Sequence, residues 1–86
     1  MSIIAAPFAR MPQRSQAHAA FGRAVREARV HTGISQEELA ARSGMHRTYV
    51  GGVERGERNL SYTNLLRLAD ALGMTLSELQ QRAERG

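Results

Sequence analysis

Residues 35–55, SQEELAARSGMHRTYVGGVER, decide the fold, because they hold two short helical patterns separated by a serine-glycine break. The first pattern begins with a capping box. The Ser35 hydroxyl can accept a hydrogen bond from the backbone N–H of Glu38, and the Glu38 carboxylate can reach back to the start of the helix. This chemistry predicts a helix over residues 36–42, and the serine-glycine pair at 43–44 ends it.

The second pattern predicts a helix over residues 46–55, in which Val50 and Val53 share one face. Gly51 and Gly52 each cost this helix about 0.8 to 1 kcal/mol relative to alanine, so something other than local stability favours them. We expect their missing side chains to let the backbone approach a ligand closely; the alternative is that they only avoid a clash between helices. Two helices joined by a tight glycine turn are a helix-turn-helix candidate.

Three further helical patterns flank this pair. An apolar stripe predicts a first helix over residues 17–31, Ser61 caps a fourth helix, and a second capping box, Thr75 with Glu78, opens a fifth. No segment shows the alternation of a strand. The predicted fold is therefore all-α, a compact five-helix bundle over residues 17–86 that contains the helix-turn-helix.

Residues 1–16, MSIIAAPFARMPQRSQ, carry two prolines and no helical periodicity, so we expect a flexible N-terminal arm. Four of its residues are more apolar than a solvated tail requires, which leaves docking on the domain or on a second subunit open: Ile3, Ile4, Phe8 and Met11.

The composition limits the function. A domain of 86 residues hides only about 60 to 65% of its unfolded surface, so a second subunit would help its stability. There is no cysteine, and the three histidines lack metal-ligand spacing, so we expect no metal and no cofactor. The pair Glu37-Glu38 fits helix capping and a solvated surface better than acid-base catalysis, so the chain is not expected to be an enzyme.

Charge points toward a nucleic acid or another acidic partner, and the absence of cysteine fits the reducing cytoplasm. No apolar stretch exceeds four residues, far short of the roughly 20 that cross a bilayer, so no membrane partner is expected. The net charge is +4, and all twelve cations are arginine, whose guanidinium suits phosphate and guanine. A GC-rich genome would also explain the missing lysine.

The run SQEELAARSGMHRTYVGGVERGERNLSYTNLLRLADALGMTLSEL resembles the helix-turn-helix domain of the Cro/C1 repressor class, also called the XRE family, over about residues 19–82. Within that class, RTYVGGVERGERNLS is similar to the controller proteins of restriction-modification systems. The resemblance implies a homodimer that binds a pseudo-palindromic double-stranded DNA operator, regulates its own gene and the endonuclease gene, and has RNA polymerase as a further partner. The alternative is an antitoxin or immunity-type protein of the same fold, with residues 1–16 as the spare segment for a protein partner.

The resemblance also assigns roles to residues. Arg47 and Thr48 would contact bases, and their chemistry fits: arginine can donate to guanine O6 and N7, and threonine offers a hydroxyl and a methyl group. Gly51 and Gly52 would lie against the groove beside them. Contacts to the sugar-phosphate backbone would come from Gln36, Tyr49, Arg58 and Asn59.

Two departures from the family and two structural expectations complete the prediction. His46 stands where the family often has a better capping residue, and Gly52 stands where many repressors read a base with glutamine. A partly buried ion pair is expected between Arg29 and Glu54. Apolar residues that are left over once the core is filled would form the dimer interface: Leu66, Met74, Leu76 and Leu79. Leu76 and Leu79 could instead complete the core.

Overall fold

Five α-helices account for the regular structure in the computed structural model, which describes residues 14–85. They are α1 (Arg14–Thr32), α2 (Gln36–Ser43), α3 (Arg47–Glu54), α4 (Tyr62–Ala71) and α5 (Leu76–Arg85). No strand occurs in this part of the chain. The predicted all-α fold with a helix-turn-helix at its centre is confirmed.

The first helix starts earlier than the sequence indicates. It begins at Arg14, so residues 14–16, which were predicted to belong to the arm, form the start of α1. These residues are acceptable helix formers but include no apolar side chain, so they add nothing to the apolar stripe that marks a helix in a sequence. The rest of the predicted arm, residues 1–13, lies outside the described residues.

Helix starts follow the capping chemistry, with one difference. At α5 both bonds of the box form: the Glu78 N–H donates to the Thr75 hydroxyl (3.0 Å), and the Thr75 N–H donates to the Glu78 carboxylate (2.8 Å). At α2 the Ser35 hydroxyl accepts from the Glu38 N–H (3.0 Å), but the Glu38 carboxylate pairs with Arg42 at 2.7 Å. An oppositely charged neighbour one turn further along the helix thus takes the carboxylate that the capping box would use.

The core lies where α1 packs against α3 and α5, with α2 and α4 closing the remaining sides. Its largest fully buried side chains are Leu39, Leu68, Leu79, Val25, Val50 and Val53. The complete burial of Leu79 corrects its prediction as a dimer contact. Together with Ala83, one turn later, it forms the inward face of α5, which leaves it no surface for a second subunit.

Helices α1 and α3 cross in very close contact, and glycine makes this possible. A Cβ atom at Gly22 would overlap the carbonyl oxygen of Val53 and would lie 2.8 Å from that of Glu54. Just after α3 the chain turns at Gly56, whose φ of +76° favours glycine and whose Cβ would lie 2.7 Å from the Ala19 Cα. This close crossing determines how far α3 projects from the rest of the bundle.

None of the helices that the structure describes is both long enough and apolar enough to span a membrane.

Candidate nucleic-acid interface

Helix α3 is exposed in its first turn and buried from Val50 to Glu54. Val50 and Val53 are 0% and 1% exposed and anchor the helix in the core. Arg47 and Thr48, in its first turn, are exposed. The N-cap residue His46 has an extended backbone but makes no side-chain capping bond, as its departure from the family pattern suggested. The two predicted base-reading side chains are therefore open to solvent at the start of a firmly held helix.

Arg47 is only loosely held by the protein itself. Its Nε atom lies 3.6 Å from the Glu37 carboxylate, and both side chains are more than half exposed. An exposed pair at this distance contributes little to stability, because water screens it. The Arg47 guanidinium can therefore exchange this partner for a ligand at low cost.

The two glycines of α3 do not leave a bare backbone, which corrects the expectation drawn from the sequence. Both are buried, and arginine side chains fill the space beside them. A Cβ atom at Gly52 would lie 2.8 Å from Arg58 Nε, and one at Gly51 would lie 3.1 Å from Arg55 Nη1. Arg55 lies one helical turn after Gly51, whereas Arg58 follows the turn at Gly56. Any contact of the glycine backbone with DNA would first require these side chains to move.

Arg58 is held in place by a second contact, with Tyr49. The guanidinium carbon of Arg58 lies 5.7 Å from the centre of the Tyr49 ring, within the range of a cation-π interaction. The Tyr49 hydroxyl accepts a hydrogen bond from Asn64 Nδ2 (3.2 Å), so α4 fixes the orientation of the ring. Asn59 follows Arg58 and is exposed. Three of the four residues predicted to contact the DNA backbone thus lie near one another, Tyr49 on α3 and the other two in the loop after it.

Arg29 and Glu54 form the ion pair that the resemblance indicated. Arg29 donates to the two carboxylate oxygens of Glu54 from Nε (2.6 Å) and Nη2 (3.0 Å), and from Nη1 to the Ile34 carbonyl oxygen (3.0 Å). The two side chains are 13% and 3% exposed, respectively. Hydrogen bonding to Glu54 raises the pKa of Arg29 and outweighs the opposing effect of burial. Arg29 therefore keeps its positive charge although its side chain is largely buried.

Gln36, the fourth residue predicted to contact the DNA backbone, belongs to the same network. Its Nε2 donates to Glu54 Oε1 (3.0 Å), so the first residue of α2 is tied to the last residue of α3. An amide nitrogen carries two hydrogens, and this bond uses one of them. Neither this contact nor the one between Tyr49 and Asn64 was predictable from the sequence, because no local pattern marks a hydrogen bond between distant residues.

Comparisons with known proteins identify the family. A family model described as Helix-turn-helix matches residues 25–79. The chain is 48% identical over 58 residues to Control protein C.SmaI of Serratia marcescens, covering 67% of this chain and 69% of that protein. It is 42% identical over 60 residues to Control protein C.BamHI of Bacillus amyloliquefaciens, covering 69% and 74%.

A solved structure agrees with these relatives. The fold is similar to that of the restriction-modification controller protein C.AhdI from Aeromonas hydrophila, with a TM-score of 0.71 and 53% sequence identity; the match covers 72% of this chain and 94% of that one. Matches of sequence and of fold thus converge on one group of proteins. The chain belongs to the XRE-type helix-turn-helix family of DNA-binding transcription regulators, and within that family it is similar to the controller proteins of restriction-modification systems.

Proposed function

We propose that this protein is a restriction-modification controller that acts as a homodimer on a pseudo-palindromic operator and regulates its own gene together with the endonuclease gene. It would act in the cytoplasm, on the nucleoid, with RNA polymerase as the partner through which operator occupancy changes transcription. One observation carries the proposal: Arg47 and Thr48 are exposed in the first turn of a helix whose opposite face is fully buried.

Base reading would rest on Arg47 and Thr48. With α3 in the major groove, Arg47 would leave Glu37 and donate to O6 and N7 of a guanine, while Thr48 would meet a thymine methyl group or a base edge. Gly51 and Gly52 would serve this contact indirectly, because their small size lets Arg55 and Arg58 lie close to the surface of α3.

Contacts with the sugar-phosphate backbone would fix the register. Arg58, supported by the Tyr49 ring, offers a positive charge at one edge of α3, and the neighbouring Asn59 adds an exposed amide. At the start of α2, the remaining amide hydrogen of Gln36 could donate to a phosphate while the other holds Glu54. These contacts carry no sequence information, so they would strengthen binding to all duplexes about equally.

A dimer would double the number of bases read, because a single helix reading three or four base pairs discriminates poorly. Leu66 is 42% exposed, and Tyr62, one turn earlier on the same face of α4, is 68% exposed. Exposed apolar surface of this kind supports α4 as the centre of the interface. Met74 and Leu76 are half-buried and pack on the core, so they would contribute only their outer edges.

Footprinting on the DNA upstream of the protein's own gene tests this proposal. We expect two protected segments in symmetric positions, with centres about 34 Å apart along the duplex, and protection that weakens steeply as salt is added. Arg47→Ala should abolish the footprint at protein concentrations where Arg26→Ala retains it. Arg26 is a matched control because it is an exposed arginine on α1, beside Arg82 of α5. No footprint at low salt, or equal footprints for both variants, would contradict the proposal.

A further inference from the structure

A shallow apolar groove lies between the start of α1 and the end of α5. Its volume is about 360 Å³. Phe21 and Ala83, each 7% exposed, form its floor. The walls are Ala17 and Ala20 on α1 and Gln80 and Glu84 on α5. Small side chains along both helices create the depression, and none of the residues that line it belongs to α3 or to the loop after it.

We propose that residues 1–13 of the same chain dock into this groove, with Phe8 as the main apolar contact. The first argument is connectivity. Helix α1 begins at Arg14, so Ala17 lies in its first turn and Ala20 is about 9 Å along the helix from Arg14, at 1.5 Å per residue. The six residues from Phe8 to Arg14 can span up to about 20 Å when extended, which is enough to return to the groove.

Proline chemistry allows the change of direction that this path needs. Pro12 precedes α1 by two residues, and it disfavours helical geometry at residue 11. The chain before Pro12 is thereby biased away from continuing along the axis of α1. A segment that leaves the axis at this point starts within one turn of the groove, because Ala17 lies on its near wall.

The second argument is the match between segment and groove. Residues 1–13 contain five large apolar side chains, counting Met1, and their one charged side chain is that of Arg10. The one charged residue among those lining the groove is Glu84, whose carboxylate accepts a 3.3 Å bond from Gln80. Phe8 can therefore fill the apolar groove while Arg10, two positions later, pairs with Glu84 on its rim.

Tethering favours this occupant over the others. A segment joined to its site by a short linker acts at an effective concentration in the millimolar range, well above that of the same segment on another molecule. Docking would also bury further apolar surface in a domain whose small size limits its hydrophobic core. The inference concerns folding of the chain on itself and does not depend on DNA binding.

The chain has only two phenylalanines, so NMR of the full-length protein can test the contact directly. We expect nuclear Overhauser effects between the Phe8 ring and the methyl groups of Ala17 and Ala83. Ala17→Glu places a charge in the groove and should remove the effect between the Phe8 ring and the Ala83 methyl group. Ala41→Glu, the same change at an exposed site on α2, should leave both effects intact.

Proteolysis provides a second readout. Trypsin cleavage after Arg10 should be about 5 to 30 times faster in Ala17→Glu than in the parent or in Ala41→Glu, the protection that about 1 to 2 kcal/mol of docking provides. Should Ala17→Glu fail to fold, Phe8→Ser leaves every helix residue in place and should shift the Ala17 and Ala83 methyl signals.

Three outcomes would overturn the proposal. The first is equal cleavage in the parent and in a folded Ala17→Glu variant. The second is that Phe8→Ser leaves the methyl signals of the groove unchanged. The third is that the contacts appear only between differently labelled copies of the chain. The last result would assign the groove to the segment of a second subunit. None of these measurements uses DNA, so the proposal fails or stands separately from the proposed controller function.

Discussion

Replacing Glu54 by alanine should lower the free energy of unfolding by about 3 to 5 kcal/mol, because it leaves a buried guanidinium without its partner. Arg29 is 13% exposed on its side chain and would lose both of its bonds to carboxylate oxygens. Arginine keeps its proton at any working pH, so the stranded group cannot become neutral. The bond from Gln36 to Glu54 would be lost in the same step.

This loss is large for a protein of this size. A chain of 86 residues is expected to have a stability of about 4 to 13 kcal/mol, so the substitution removes a large share of it. In a domain of this length each kcal/mol moves the Tm by about 4 to 8 °C, which predicts a fall of at least about 12 °C. Thermal melts followed by circular dichroism, together with urea titrations, would measure both quantities.

Glu57→Ala is the matched control. Glu57 pairs with Arg55 at 3.1 Å, but both side chains are more than half exposed, so its removal should cost less than about 1 kcal/mol. Replacing Arg29 and Glu54 together by leucine should restore part of the stability lost in Glu54→Ala, because no charge is then stranded. A Glu54→Ala melt that coincides with that of Glu57→Ala would refute the reasoning.

Three further predictions concern DNA binding, assembly and packing. Arg47→Ala should weaken operator binding by about 1 to 3 kcal/mol per half-site and leave binding to a random duplex much less affected; equal losses in a competition assay would contradict base reading. Leu66→Glu should turn dimers into monomers in sedimentation experiments, whereas Val30→Glu, at an apolar position on α1 that is even more exposed, should not; identical behaviour of the two variants would remove α4 from the interface. Gly22→Ala should destabilise the fold by about 1 to 3 kcal/mol in urea although alanine favours helices, and a neutral result would argue against the close crossing of α1 and α3.

The helix starts were largely predictable because capping is local. Ser35, Ser61 and Thr75 each accept a bond from the backbone three residues later, which a sequence displays directly. The start of α1 was not predictable in this way, because residues 14–16 contribute neither an apolar side chain nor a recognised cap. Local capping signals thus located most of the helix starts. The prediction was less accurate at the start of α1, where no such signal is present.

Contacts between distant residues were beyond the sequence patterns. The glycines of α3 showed that a side chain had to be absent, but the identity of the group that fills the space, Arg58, depends on how the chain turns after α3. Leu76 and Leu79 both interrupt a polar helix, and periodicity alone does not say which of them faces α1. The pairing of Arg29 with Glu54, 25 residues apart, came from the family resemblance rather than from any spacing.

The bond between Gln36 and Glu54 has a consequence for how the protein meets a duplex. It joins the start of α2 to the end of α3, whereas the short turn at residues 44–46 joins their other ends, so the angle between the two helices is set before DNA arrives. No conformational entropy is then spent on ordering the pair, which favours affinity. The geometric adjustment on contact falls instead to the DNA, whose stiffness varies with its sequence. A protein held in this way would discriminate among base pairs that it never touches, through the energy needed to bend them into place.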